Sequence, residues 1–228
     1  MRIKFFAAAL ATSFITALTG GAAASNIPWS NASGETADFY WSNGRTDNGR
    51  FGDPTVVGNS FVFFPSNFKA ESSNGTAAQV SDRLAFTLLM KPHADLLAVT
   101  MHEAGDYAIL GSGTVNAQGG LFVKNLNSTG LVSATMVSNP VMPYTSATSS
   151  SGLWEGTANA VVPAGWTMVE VVFNNILQAT SDQGTAAAIE KMVAEPIVVT
   201  FVIPEPASAS LLLMGFGVAL VRRTRRVA

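Results

Sequence analysis

The stretch Leu84-Ala85-Phe86-Thr87-Leu88-Leu89-Met90 decides the fold class. On an extended chain Leu84, Phe86, Leu88 and Met90 fall on one side, and Ala85, Thr87 and Leu89 on the other. This period of two marks a strand with one buried face. The same alternation returns on both sides of it. Leu97, Val99 and Met101 alternate with Ala98 and Thr100, and Val169, Val171 and Phe173 with Met168, Glu170, Val172 and Asn174. Phe61-Val62-Phe63-Phe64 is apolar on both faces, which predicts a central or covered strand. Weaker runs at 106–110, 113–117, 120–125, 131–137, 153–162 and 196–203 bring the set to roughly nine or ten short strands.

Turn chemistry separates these runs: Lys91-Pro92-His93-Ala94-Asp95, Ala117-Gln118-Gly119-Gly120, Asn127-Ser128-Thr129-Gly130 and Asn139-Pro140. Only Thr185 to Ala194 reads as a helix, on a thin stripe of Ile189 and Val193. Asn43 to Val57, with Gly44, Gly49, Gly52 and Pro54, reads as a long surface loop. Tyr144 to Gly152, rich in Ser and Thr without an apolar period, reads as a mobile stretch. Short strands at this spacing predict an all-β fold, a single antiparallel β-sandwich or jelly roll over residues 25–203. An N-terminal signal helix (1–24) and a C-terminal transmembrane helix within 204–228 are expected to flank it.

Composition removes several chemistries. The chain of 228 residues has no cysteine, so disulfides, thiolate metal sites and cysteine nucleophiles are excluded. Residues 25–203 hold 7 basic and 14 acidic side chains, a balance that does not attract nucleic acid or anionic lipid. No cofactor is implied.

The ends read as addresses. Arg2 and Lys4, the apolar run Phe5 to Leu18, and the small residues Gly20 to Ala24 form a secretory signal peptide. Ala22 and Ala24 suit signal peptidase, which is expected to cut before Ser25. At the other end, Ala207 to Val221 is uncharged and apolar, and Arg222, Arg223, Arg225 and Arg226 follow at once. At ~1.5 Å per residue this run reaches about 22 Å as a helix, enough to insert if the bilayer thins and the arginine stems snorkel. The arginines would stay in the cytoplasm, leaving residues 25–203 outside. Pro204-Glu205-Pro206 stands just before the run, and its prolines hold an extended chain that a processing enzyme can grip.

A Pro-Glu-Pro triplet, a short apolar helix and a terminal arginine cluster, in that order, resemble the PEP-CTERM sorting signal. The resemblance covers residues 204–228 and the signal peptide, and nothing between them. It implies processing by an exosortase, an integral-membrane cysteine protease or transpeptidase, after transient anchoring in the inner membrane. Pro204, Glu205 and Pro206 would be recognised, and the four arginines would orient the helix. The product would be a secreted or cell-surface protein associated with exopolysaccharide.

Between the addresses, catalytic residues are sparse. His93 is placed in a turn and His102 at the far end of the next strand on its solvent face, too far apart for one metal ion. No Gly-x-Ser-x-Gly elbow supports a hydrolytic triad. Glu103, Asp106, Glu155 and Glu170 are the carboxylates available to an exported glycoside hydrolase. Asp47-Asn48-Gly49-Arg50-Phe51-Gly52-Asp53 offers oxygen ligands for calcium, with Asp47 and Asp53 as its carboxylates. Its spacing departs from that of a calcium loop, and Arg50 sits within it. Trp41, Trp154 and Trp166 are candidates for stacking on sugar rings, as a carbohydrate-binding module would use them, but filling the sandwich core is the favoured reading for them. The sequence thus favours a non-catalytic exported surface protein over a carbohydrate-binding module or a hydrolase.

Overall fold

The computed structural model describes residues 26–191 and 195–204. Sixteen strands and no helix make up this part. The chain opens with β1 (Ile27–Pro28), β2 (Gly34–Glu35), β3 (Phe39–Thr46), β4 (Thr55–Val57), β5 (Ser60–Phe63) and β6 (Lys69–Ser73). The long strands β7 (Ala77–Met90), β8 (Ala98–Leu110) and β9 (Gly113–Asn125) follow, then the short β10 (Leu131–Thr135), β11 (Val137–Asn139) and β12 (Tyr144–Ser146). β13 (Ser150–Val161), β14 (Met168–Ser181), β15 (Ala186–Lys191) and β16 (Ile197–Val202) complete it.

The strands form two antiparallel sheets. The first runs β1-β3-β7-β14-β9-β10, with β2 also on β3 and β12 also on β9. The second runs β11-β13-β8-β16-β5-β4. Along the edge of β8 opposite β13, β16 pairs with residues 98–102 and β15 with residues 105–110, so that edge carries two strands end to end. β6 extends β15 outward as β5 extends β16. Among the described residues, the pairings on this edge reach Gly105 from Lys191 and His102 from Val198.

The two sheets meet through their apolar faces. In β7, Val80, Leu84, Phe86, Leu88 and Met90 are buried, in phase with the predicted alternation. Phe61 of the second sheet lies 6.2 Å from Phe39, 5.5 Å from Trp41 and 5.0 Å from Phe86 of the first. All three contacts are edge-to-face, the arrangement aromatic quadrupoles favour. This is a β-sandwich with an aromatic core at one end.

Several expectations are corrected. Of the helix expected over Thr185 to Ala194, the stretch Ala186–Lys191 is instead β15, paired on both edges, and its alternation buries Ala187, Ile189 and Lys191. The Ile189/Val193 spacing also fits no longer stripe, so tertiary pairing overrides the weak helical period. Ala117-Gln118-Gly119-Gly120 is not a turn but the middle of β9. A Cβ on Gly119 would meet the Phe173 ring at 2.8 Å, and one on Gly120 the Phe122 ring at 2.9 Å. These glycines make room for rings and do not bend the chain. The stretch 43–57 belongs partly to β3 and β4, and Tyr144–Ser146 and Ser150–Gly152 are paired strand. Phe61 and Phe63 are fully buried whereas Phe64 is about half exposed, so that segment is buried on one face only. The signal peptide, its cleavage residues Ala22, Ala24 and Ser25, and the C-terminal helix lie outside the described residues.

Candidate functional site

The C-terminal exit comes first. β16 is an interior strand of its sheet, held by β8 on one side and β5 on the other. It ends at Val202, Ile203 is half-buried against the core, and Pro204 is exposed. The rest of the segment, Glu205, Pro206 and Arg222, Arg223, Arg225 and Arg226, lies outside the described residues. Among the described residues no helix is long and apolar enough to cross a membrane.

A second feature was not foreseen. Three polar side chains point inward from three strands: Glu103 (β8), Asn175 (β14) and Lys191 (β15). Glu103 and Asn175 have no exposed surface, and the Lys191 side chain has none either. Asn175 Nδ2 donates to Glu103 Oε1 at 2.7 Å, and Lys191 Nζ is hydrogen-bonded and ion-paired to Glu103 Oε2. Asn175 Oδ1 is buried with no hydrogen-bond partner among the described residues. The lysine nitrogen lies 4.9 Å from the centre of the Phe68 ring and 5.3 Å from that of Trp154. Burial lowers the Lys191 pKa, outweighing the carboxylate that opposes it. Two glycines open the space. A Cβ on Gly105 would lie 2.4 Å from Trp154 Nε1, and one on Gly119 3.3 Å from Asn175 Nδ2.

The signal for this centre was partly present in the sequence. Extending the Val99/Met101 alternation places Glu103 inward, and extending Val169/Val171/Phe173 does the same for Asn175. Lys191 was hidden by the helical reading of its segment.

The remaining candidates are dispersed. His102 is solvent-exposed on β8, as its phase predicts. His93 lies in the connection after β7, with Nε2 3.5 Å from Asp38 Oδ1. Of the carboxylates considered for hydrolysis, Glu103 is locked in the core and Glu170 pairs with Arg45 at 3.1 Å on the first sheet. Asp106 and Glu155 share the outer face of the second sheet, where Asp106 stands directly opposite Glu190. Partial burial and then the Glu190 carboxylate raise the Asp106 pKa above its ordinary value.

The 47–53 loop is organised without a cation. Buried Asp82 accepts backbone amides from Asp47 (3.1 Å), Asn48 (2.8 Å) and Arg83 (2.8 Å) through Oδ1, and from Arg50 (2.7 Å) through Oδ2. Asp53 Oδ1 accepts the Ser30 amide at 3.0 Å. The amides of Asp47, Asn48 and Arg50 thus turn toward the Asp82 carboxylate. Among the described residues, no cluster of three or more His, Asp or Glu side chains is arranged to hold a metal.

Two of the three tryptophans fill the core. Trp154 is fully buried and donates Nε1–H to the Glu190 carbonyl at 3.2 Å. Trp41 is buried, with its indole N–H on the Asn31 carbonyl at 3.0 Å. Neither offers a ring face to a ligand. Trp166 is half-buried above Gly130.

Residues 202–226 match the family model of the PEP-CTERM protein-sorting motif. The chain carries this sorting motif at its C-terminus. The matched span begins on the last residue of β16 and takes in Pro204, Glu205, Pro206 and all four arginines. Sheet and motif thus meet at Val202. A comparison with curated proteins finds no match.

Proposed function

We propose that the protein is a non-catalytic, exported component of the cell surface or extracellular matrix. Signal peptidase would remove residues 1–24, the C-terminal helix would anchor the chain transiently in the inner membrane, and an exosortase would cut near Pro204–Pro206. The observation that carries this reading is the junction at Val202: the motif starts where the last strand stops. A cut beyond Pro204 leaves every described strand in place.

The non-catalytic part of the proposal draws on the absent cysteines, the two separated histidines and the dispersal of the candidate carboxylates. Exopolysaccharide is the partner proposed for the released product. The test is a host strain carrying Pro204→Ala, Glu205→Ala and Pro206→Ala together. The account expects this variant to remain in the membrane fraction while the wild type leaves it. Equal release of both would overturn the proposal.

A carbohydrate-binding module is the second reading, favoured by one observation. Phe122, Val172 and Leu131 line a shallow depression on the outer first sheet with Arg83, Lys124 and Glu170, an apolar floor ringed by polar groups. Binding of the host polysaccharide that is lost in Phe122→Ala would support it.

A further inference from the structure

We infer that Lys191 and Asn175 become joined by an intramolecular amide, with Glu103 as the proton carrier. Three requirements of that chemistry are met by residues already described. The nucleophile is an amine withdrawn from water into an aromatic pocket, where a neutral amine is favoured over an ammonium. The acyl donor is a buried carboxamide. A carboxylate touches both nitrogens, Lys191 Nζ through Oε2 and Asn175 Nδ2 through Oε1, so one group can take a proton from the attacking nitrogen and supply one to the departing nitrogen. All three sit on strands, whose paired backbones fix them relative to one another.

The step balances. Lys191 first gives one proton to Glu103, leaving a neutral amine and a neutral acid. The Nζ lone pair attacks Asn175 Cγ, forming the new C–N bond and opening the carbonyl to a tetrahedral oxyanion. Glu103 delivers its proton to Nδ2, the Cγ–Nδ2 bond breaks and the carbonyl re-forms. Nζ then passes its second proton to Glu103. The products are a secondary amide, one molecule of ammonia and a protonated Glu103. Nothing is oxidised or reduced, and the buried ion pair has been replaced by uncharged groups, which removes the penalty of holding two charges in the core. One amide is exchanged for another, and escape of ammonia to bulk water carries the reaction forward.

The bond would have a structural purpose. Asn175 belongs to the first sheet and Lys191 to the second, so it would staple the two layers together. It would do so where β15 and β16 meet end to end along the edge of β8. An exported protein without cysteine has no disulfide for this task.

The experiment is peptide mapping of the mature protein recovered from its host. No Lys or Arg lies between Lys124 and Lys191, and Asp182 is the only aspartate between Asn175 and Lys191. Trypsin should therefore fail to cut after Lys191. Cleavage before Asp182 should leave two segments still joined, lighter by one ammonia than the sum of the two separate segments. A succinimide at an Asn-Gly pair also loses ammonia but joins no segments, so it would not imitate this result. Asn175→Ala and Glu103→Gln should both give separate peptides. Separate peptides from the wild type, with ordinary cleavage at Lys191, would overturn the inference. So would a link lacking one water, which would make Glu103 the acyl donor. Linkage persisting in Glu103→Gln would remove the proton-carrier role.

Discussion

Phe61 lies within 5.8 Å, ring centre to ring centre, of Trp29, Trp41, Phe86 and Phe201, and 6.2 Å from Phe39. No small residue can occupy that point without opening a cavity between the sheets. Phe61→Ala should cost about 3–5 kcal/mol of folding stability, read from urea denaturation. A loss below about 1 kcal/mol would show that the rings collapse to fill the gap. Asp106 makes the opposite case, because partial burial and then the Glu190 carboxylate disfavour its charge. Its raised pKa means that the folded state holds the proton more tightly than the unfolded chain. The stabilising contribution is therefore present at low pH and is lost as pH rises past the ordinary aspartate value of 3.8 and through the higher folded value. Asp106→Asn should raise Tm at neutral pH by about 1–3 °C, and the gain should vanish in acid. A gain that persists unchanged in acid would refute the charge explanation.

The elements show which signals a sequence carries well. Where one face of a long strand is apolar, the period of two is unambiguous, and 84–90 and 168–174 are strand in the expected phase; of 97–101, Val99 and Met101 are buried as expected, but Leu97 precedes β8 and is exposed. What stayed hidden was set by partners far along the chain. Gly119 and Gly120 read as a turn because glycine usually permits one, but the rings of Phe173 and Phe122 are what they accommodate. Lys191 lay in the segment read as a helix, and its inward placement depends on Glu103 of another strand. What organises the 47–53 loop was hidden because its anchor, Asp82, lies on a different strand. Asp82→Asn keeps one acceptor oxygen and gives up the charge, leaving at least one amide unanswered. It should destabilise the protein by about 2–3 kcal/mol, with the greatest rise in hydrogen exchange at Asn48 and Arg50. Protection that stays unchanged there would mean that the loop is held by Phe51, which is fully buried, and not by the carboxylate.

At the scale of the whole molecule, two sheets share one aromatic core and the sorting motif begins at the final residue of the last strand. The tripartite C-terminus was fully legible because its meaning lies in order and spacing along the chain. The sandwich between the addresses was legible as a class, while its buried polar centre was not, because it requires three strands to be brought together. A motif that starts where the fold stops allows cleavage without unfolding. Truncation at Pro204 should therefore leave Tm within about 2 °C of the full chain, whereas truncation before β16 removes Ile197, Val199 and Phe201 from the core and should abolish cooperative melting. The most direct test of the account is the intact mass of the protein isolated from its host, with and without the exosortase. The account predicts that residues beyond the Pro204–Pro206 region are missing only when the enzyme is present, in a species that also lacks residues 1–24. A C-terminus ending at Ala228 in both strains would contradict it.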